Sequence, residues 1–312
     1  MAPRIGYLLP TREHIMEGRP EAAPLLELAQ RAEGLGYDSI WVGDSVLARP
    51  RHDAITLLAA VAGRTRRVAL GTAVLLPALR NPVLLAHQVA TLDQVSDGRV
   101  ILGVGIASDV PNIRAEFAAC GVDWDKRLGR MMEGLRLCRA LWTGEPVTWD
   151  GRWKLTDAML GPKPYRLGGP PIWAAGSAPA AIERVGKHFD GWFPNGPSPA
   201  VYARTWTALQ AAARHAGRDA ALLTGAAYVT LAIDDSQARA DARMDRFLAQ
   251  YYGQPAEAMR RRQACFAGSL AGAREWLAAF AAAGVDHFAL RFVGEPERQL
   301  DLLAGVGADL RA

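Results

Sequence analysis

A chain of 312 residues, half of them apolar, can bury a large core and falls just above the roughly 250 residues of one large α/β domain. Thirty-six basic against thirty-two acidic side chains leave a net charge of +4, and only four of the basic residues are lysines; arginines scattered among acids argue against a nucleic-acid partner. No apolar stretch approaches the roughly 20 residues that span a bilayer, MAPRIGYLLP runs straight into a strand pattern, and Cys120, Cys138 and Cys265 have neither disulfide-framework nor zinc-site spacing, so a soluble protein of a reducing cytoplasm is expected.

Strand and helix patterns alternate along the chain, which predicts a parallel sheet covered by helices. The first strand is expected over Arg4–Leu9, followed by an amphipathic helix over Ala22–Glu33 that carries Leu25, Leu26, Ala29 and Ala32 on one face, and a second strand over Ser39–Gly43. A third strand, Val68–Leu75, leads to Asn81 as N-cap and Pro82 as first helical residue; Leu85, Val89, Leu92 and Val95 follow at helical spacing, and Gly98 ends the helix. The fourth strand is Val100–Ile106. The rhythm then breaks, over an insertion of about 108–170: Pro111–Ala119, a long helix from about Lys126 to Trp142, and a hairpin around Asp150-Gly151 flanked by Val147, Trp149, Trp153 and Leu155. This insertion is expected to lengthen the fourth strand-to-helix connection and to wall or lid a pocket. Strands over Pro171–Gly176, Gly191–Pro194 and Thr224–Ile233, a helix over Ala271–Ala283 and a last strand over His287–Val293 complete the series. Eight strands predict a (β/α)8 TIM barrel forming one domain over 1–312. A doubly wound sheet is disfavoured, because the Gly-rich strand end Leu102–Ala107 lacks the G-x-G-x-x-G spacing.

Barrel enzymes place their working side chains at the C-terminal strand ends. The acids and bases there are Glu13 and His14, then Asp44, His52 and Asp53, then Asp109 and finally Glu295. Asp44, His14, His52 and Asp109 are the candidate catalytic residues. Lys126, Lys154, Lys163 and Lys187 all lie in helices or insertion loops, which disfavours Schiff-base chemistry, and no strand offers a metal-ligating His pair. Ser177 lacks a base partner and no G-x-S-x-G occurs, which disfavours acyl transfer. Arg260–Arg262 reads as a solvated helix face, and Arg127 with Glu133 as a structural pair. What remains is a site of backbone and small residues, Gly71, Ala73, Gly105, Ala107, Ala174, Ala175 and Gly176. Such residues either pack a tight barrel or admit a flat cofactor that does the chemistry itself.

The segments LAQRAEGLGYDSIWVGDS, VALGTAVLL, RNPVLLAHQVATLDQVSDGRVILGVG, KRLGRMMEGLRLCRALW, VTWDGRWKL, PPIWAAGSAPAAIERVGKHFDGWFP and AGVDHFALRF, taken together and in this order, resemble the bacterial luciferase-like flavin- or deazaflavin-dependent oxidoreductases. The resemblance implies a barrel holding F420 or FMN. Thr72, Ala73 and Val74 would lie along the ring with a non-prolyl cis peptide at Ala73–Val74, Gly105, Ile106 and Ala107 would border the ring and its side chain, and Ala174, Ala175, Gly176 and Ser177 would hold the tail and phosphate. Asp44 would stand near the reacting edge, and Tyr7 joins the cofactor-binding set. Two positions depart from the pattern: Ser45 stands where many relatives have a histidine, and Ser108-Asp109 where sugar-phosphate dehydrogenases of the family have a glutamate. The implied activity is F420-linked hydride transfer on a small organic substrate, lying under the insertion around Trp149 and Trp153. The alternatives are an oxygenase using reduced FMN and O2 with a separate flavin reductase, and a non-catalytic flavin-binding barrel. A homodimer without a nucleic-acid or membrane partner is also implied.

Overall fold

Eight strands close into a ring because each short apolar run finds its parallel neighbour in chain order until the last one meets the first. The computed structural model describes residues 2–196 and 198–310; Met1, Pro197, Arg311 and Ala312, part of the expected 1–312 unit, lie outside the described residues. The strands are β1 (Arg4–Leu8), β2 (Ser39–Val42), β3 (Ala69–Thr72), β4 (Val100–Val104), β5 (Val147–Asp150), β6 (Lys154–Ala158), β7 (Ile172–Ala174), β8 (Gly191–Trp192), β9 (Thr224–Ile233), β10 (Cys265–Gly268) and β11 (His287–Phe292). The closed order is β1-β2-β3-β4-β7-β8-β9-β11 and back to β1, the expected (β/α)8 barrel.

Alternation along each strand splits the apolar residues between two layers. Ile5, Tyr7, Ile40 and Val42 join the large core shared with the helices, while Leu8, Trp41, Ala73, Ile101, Trp173, Phe193, Ala226 and Ala289 form a separate cluster inside the ring. Trp41 fills the axis, its ring centroid 4.8 Å from Phe193 and 5.5 Å from Trp173. Its neighbours are glycines for lack of room: a Cβ on Gly71 would fall 2.1 Å from Trp41 Cε3, and one on Gly6 would fall 2.1 Å from Ser39 Oγ. Below the indole, Trp41 Nε1 donates to Ser39 Oγ at 2.7 Å, and that oxygen lies 2.7 Å from His287 Nε2.

Helix Pro82–Val95 begins as expected: the Asn81 side chain accepts from Val83 N at 2.9 Å, and Pro82 occupies the first turn. Two regions differ from the sequence expectation. The insertion is not one piece: helix Pro111–Ala119 lengthens the connection after β4, but the β5–β6 hairpin follows helix Arg127–Leu141 and buttresses its outer side. Trp153 lies against Gly134 of that helix with the Arg130 guanidinium 5.1 Å over its ring, and Glu133 accepts from Arg152 N at 2.6 Å. Asp150 pairs with Lys154, so the turn is the three residues 151–153 rather than a two-residue Asp150-Gly151 turn. Glu133 therefore pairs with Arg152, and Arg127 instead stacks 3.7 Å over Trp124 and donates to Trp124 O at 2.7 Å. The second difference is β10, absent from the eight-strand count, which pairs in parallel with the upper half of β9.

Burial, reinforced by the charge of Arg4, pulls the pKa of His287 down to about 3. The unfolded chain binds a proton at this imidazole below about pH 6.5 and the folded chain does not, so the stabilisation is complete above pH 6.5 and falls by about 1.4 kcal/mol per pH unit as the pH drops from there toward 3. Urea unfolding between pH 7 and pH 5 is expected to show this slope in the native sequence and a shallower one in His287→Gln.

Candidate active site

At the C-terminal end of the barrel, β3, β4 and β7 stop side by side and their backbones continue in unusual paths. Ala73 N donates to Val42 O at 2.8 Å, the Ala73–Val74 peptide is cis, and Leu75 then returns to the ladder, its N donating to Gly103 O at 2.7 Å and its O accepting from Gly105 N at 3.0 Å. Among the described residues the Ala73 carbonyl and the Val74 N–H have no backbone partner. Thr72 differs: its hydroxyl is spent on Gly103 O at 2.8 Å. Ala107 turns the chain after β4 at φ 63°, a left-handed conformation uncommon for a residue with a Cβ. Ala175 N donates to Val104 O, and Gly176, at φ 122°, passes the chain to helix Pro179–His188, whose first turn has no side-chain cap. Thus Val74, Gly105, Ile106, Ala107 and Ala174–Ser177 do converge. The rim has the chemistry a cofactor with an anionic tail would need: backbone groups at Ala73 and Val74 without backbone partners, and a helix N-terminus that Ser177 and Ala178 leave exposed.

Tyr7 does not join them. It lies on the opposite face of β1 from Leu8, stacked at 5.5 Å on Phe292 and edge-on to Tyr37 within the helix layer, which takes it out of the cradle. Strand alternation predicts that placement.

The four expected acids and bases have separate fates. Asp44, its side chain 2% exposed, accepts from Leu76 N at 2.8 Å and from both Arg80 terminal nitrogens at 2.6 and 2.8 Å. Arg80 also reaches Asp53, 3.0 Å away. Asp44 thus fastens the loop after β3 that carries Val74. Asp109 is exposed and forked by Arg114 at 2.6 and 2.7 Å, a bond that lowers its pKa. His52 donates from Nε2 to Pro20 O at 2.8 Å and keeps a buried, unpartnered Nδ1. His14 is buried, its Nδ1 has no partner, and burial reinforced by Arg19 lowers its pKa, so it is neutral at neutral pH. Ser45, the departure beside Asp44, is also structural. It donates to Glu116 Oε1 at 2.7 Å, and the same oxygen receives Val46, Leu47 and Ala48 N–H groups at 2.5 to 3.2 Å.

The opposite rim was not foreseen. Helix Gln237–Tyr252, between β9 and β10, carries Phe247, Tyr251 and Tyr252 over the barrel mouth. Arg291 rises from β11 two residues after Ala289 of the interior cluster, is 4% exposed, and lies 4.3 Å from the Tyr251 ring and 4.7 Å from the Tyr228 ring. Burial pulls its pKa down to about 9, with Glu13 opposing and Arg51, Arg49 and Arg12 assisting, which still leaves it charged at neutral pH. The advance sign is an arginine at an inward position of a strand whose residues after His287 are otherwise apolar. Arg260, by contrast, is no mere solvated charge, since it bridges Asp241 and Asp245. Two cavities of about 160 Å³ lie at the N-terminal ends of the strands, one lined by Ile172 and Arg218 and one by Tyr37 and Asp38, away from these groups.

Asp44→Ala should lower stability by about 3 kcal/mol in urea unfolding, because a nearly buried charge-assisted cluster loses its acceptor; an unchanged midpoint would return Asp44 to the list of proton-transfer groups. In Gly105→Val the first collision is with Val74 Cγ2, 2.8 Å from the new Cβ, so the added bulk displaces the residue next to the cis peptide. The variant is expected to stay folded by circular dichroism and to lose at least about tenfold in cofactor affinity by absorbance titration, a loss of about 1.4 kcal/mol.

The family model described as luciferase-like monooxygenase matches residues 3–309. A 5,10-methylenetetrahydromethanopterin reductase of Methanolobus tindarius is 32% identical over 221 residues, 70% of this chain and 64% of the relative. An F420-dependent glucose-6-phosphate dehydrogenase of Amycolatopsis mediterranei (strain U-32) is 38% identical over 179 residues, 54% of this chain and 52% of the relative. The matches therefore span little more than half to under two thirds of these relatives' own lengths. The solved structure of an F420-dependent secondary alcohol dehydrogenase with an F420-acetone adduct superposes with a TM-score of 0.84 at 23% identity, covering 100% of both chains, a likeness of fold. On the match over residues 3–309, the chain belongs to the luciferase-like monooxygenase family.

Proposed function

We propose that the protein is a flavin- or deazaflavin-dependent oxidoreductase that acts on a small organic substrate, with F420 as the first choice of cofactor and FMN as the second. The observation that carries this reading is the rim where β3, β4 and β7 end: small-residue strand ends and an uncapped helix start, with the nearby acid Asp44 already consumed in holding a loop. The name of the Amycolatopsis mediterranei relative, an F420-dependent dehydrogenase, favours F420.

When bound, a deazaflavin supplies hydride transfer. The chain's own residues do the rest. Ala73, Val74, Gly105, Ile106 and Ala107 border the ring through backbone, and Ala174–Ser177 with the start of helix Pro179–His188 receive the anionic tail. Asp44 and Arg80 hold the β3 loop in place, and Glu116 holds residues 45–48. Tyr251 and Phe247 cover the far side and exclude water. Proton movement falls to Glu13, a half-buried carboxylate in the short helix Thr11–Met16 after β1, without an ion pair among the described residues, whose charge acts on Arg12, Arg51 and Arg291.

The family's description as monooxygenases favours a second reading, in which FMN, O2 and a reductase partner take the place of F420. A homodimer through helix Pro82–Val95, where Leu84 and Val95 are exposed, and a cytoplasmic location belong to either reading. Among the described residues no helix is long and apolar enough to cross a membrane.

Side-by-side absorbance titration with F420 and FMN tests the proposal. Micromolar F420 binding at least about tenfold tighter than FMN, a difference of about 1.4 kcal/mol, is expected; the reverse order selects the oxygenase, and binding of neither overturns the reading.

A further inference from the structure

Several buried ions in this chain are matched: Asp44 has Arg80, and Asp234 has Arg239 and Arg243. Glu116 collects four donors on one oxygen, although its second oxygen and one oxygen of Asp93 are buried without a partner. The arginines around Tyr251 differ from these acids in sign and in being grouped. Arg291 Nη1 donates to the Tyr252 hydroxyl at 3.1 Å and its Nε is buried without a partner. Arg12 stands 4.9 Å over the Tyr251 ring with Nε and Nη1 both buried and unpartnered, and Arg51 Nη2 donates to the Tyr251 hydroxyl at 3.2 Å. Among the described residues none of the three has a carboxylate within salt-bridge distance, and the Tyr228 hydroxyl beside Arg291 is buried without a partner. Arg51 Nε donates to Arg49 O at 3.1 Å and the charge of Glu13 acts on all three from beyond salt-bridge distance, but guanidiniums held otherwise by π faces and phenols have recovered only part of their lost hydration. Such a cluster is completed by an anion, and a guanidinium fork with spare N–H groups matches the two oxygens of a carboxylate or related oxyanion.

Position says whose anion it is. The cluster is built from β11 and the connections after β1 and β2, while the start of helix Pro179–His188 follows β7, four strands round the ring from β1. Arg51 links the cluster to the cradle: a Cβ on Gly43 would fall 2.0 Å from Arg51 Nη1 and 3.6 Å from the Ala73 carbonyl. The unpaired charge therefore borders the ring side of the cradle, opposite the tail.

We propose that Arg291, with Arg51 and Arg12 around Tyr251, binds the anionic group of the substrate, and that the substrate is a small organic acid. The inference rests on the oxidoreductase reading for the word substrate, but the anion site stands on its own geometry.

Calorimetric titration of the cofactor-loaded protein at constant ionic strength, with sodium benzoate, sodium sulfate and the neutral isostere benzamide, tests it. At least one of the two anions should bind at least about tenfold tighter than benzamide, about 1.4 kcal/mol. Arg291→Gln should abolish that preference while changing cofactor affinity less than about twofold, and Arg51→Gln serves the same purpose if the first variant is unfolded by circular dichroism. An absent anion preference in the native sequence, or anion affinity unchanged in the folded variants, overturns the proposal. A loss of cofactor affinity larger than the loss of anion affinity also overturns it, since the arginines would then hold the cofactor's tail. If neither F420 nor FMN binds, the same titration on the cofactor-free protein separates the two ideas: an Arg291-dependent anion preference keeps the anion site while the oxidoreductase reading falls.

Discussion

Eight parallel strands enclose an axis that the chain must fill with its own side chains, and the way it does so governs everything above. Trp41, flanked by Trp173 and Phe193, occupies that axis and depends on Gly71 and Gly6 having no Cβ. Truncating so large a buried aromatic costs about 3–5 kcal/mol in typical cores, so the plug contributes substantially to the stability of the barrel. It also sets a floor. Small strand ends such as Ala73 and Gly105 form a usable cradle because the volume beneath them is already taken.

Above that floor the polar groups divide by what satisfies them. Asp44, Ser45 and Glu116 are consumed in tying down the two loops after β2 and β3, so a run of acids and hydroxyls that reads as chemistry proves to be support. The basic side chains around Tyr251 go the other way, three of them held near one another with the charge of Glu13 acting on them but no carboxylate in salt-bridge distance among the described residues. The mouth is accordingly asymmetric in charge, with backbone and small residues on the β3–β4–β7 side and guanidinium groups on the β11–β1–β2 side. Two opposed surfaces of this kind suit a cofactor that presents one edge to a second molecule.

The barrel was legible because its signals are local. Eight apolar runs, the Asn81-Pro82 start and the placement of the small strand ends all depend on neighbours within a few residues. The roles of the polar residues were not, because their partners are remote: Asp44 meets Arg80 thirty-six positions on, Ser45 meets Glu116 seventy-one on, and Arg51 meets Tyr251 two hundred on. Strand β10 escaped notice for a related reason. Cys265–Gly268 lies outside the closed ring, and it pairs only because β9 is longer than the barrel needs. The hairpin misled in the opposite direction, since tryptophans beside Asp150-Gly151 resemble a lid, whereas helix Arg127–Leu141 gives them a surface to cover.

The sharing of β9 carries a further consequence. Its first residues pair with β8 and its last with β10, the chain changing partner where Tyr228 N meets Pro194 O and Ala264 N meets Asn195 O. The ring is thus stacked in two tiers, a waist of eight strands and a collar in which β10 and helix Gln237–Tyr252 stand above β8. Because the waist closes without the collar, insertions, deletions and side-chain changes between residues 234 and 264 can reshape what the mouth admits while leaving the Trp41 plug and the small-residue cradle untouched. One scaffold can in this way acquire new substrates by exchanging its collar, with catalysis and selectivity free to diverge at different rates.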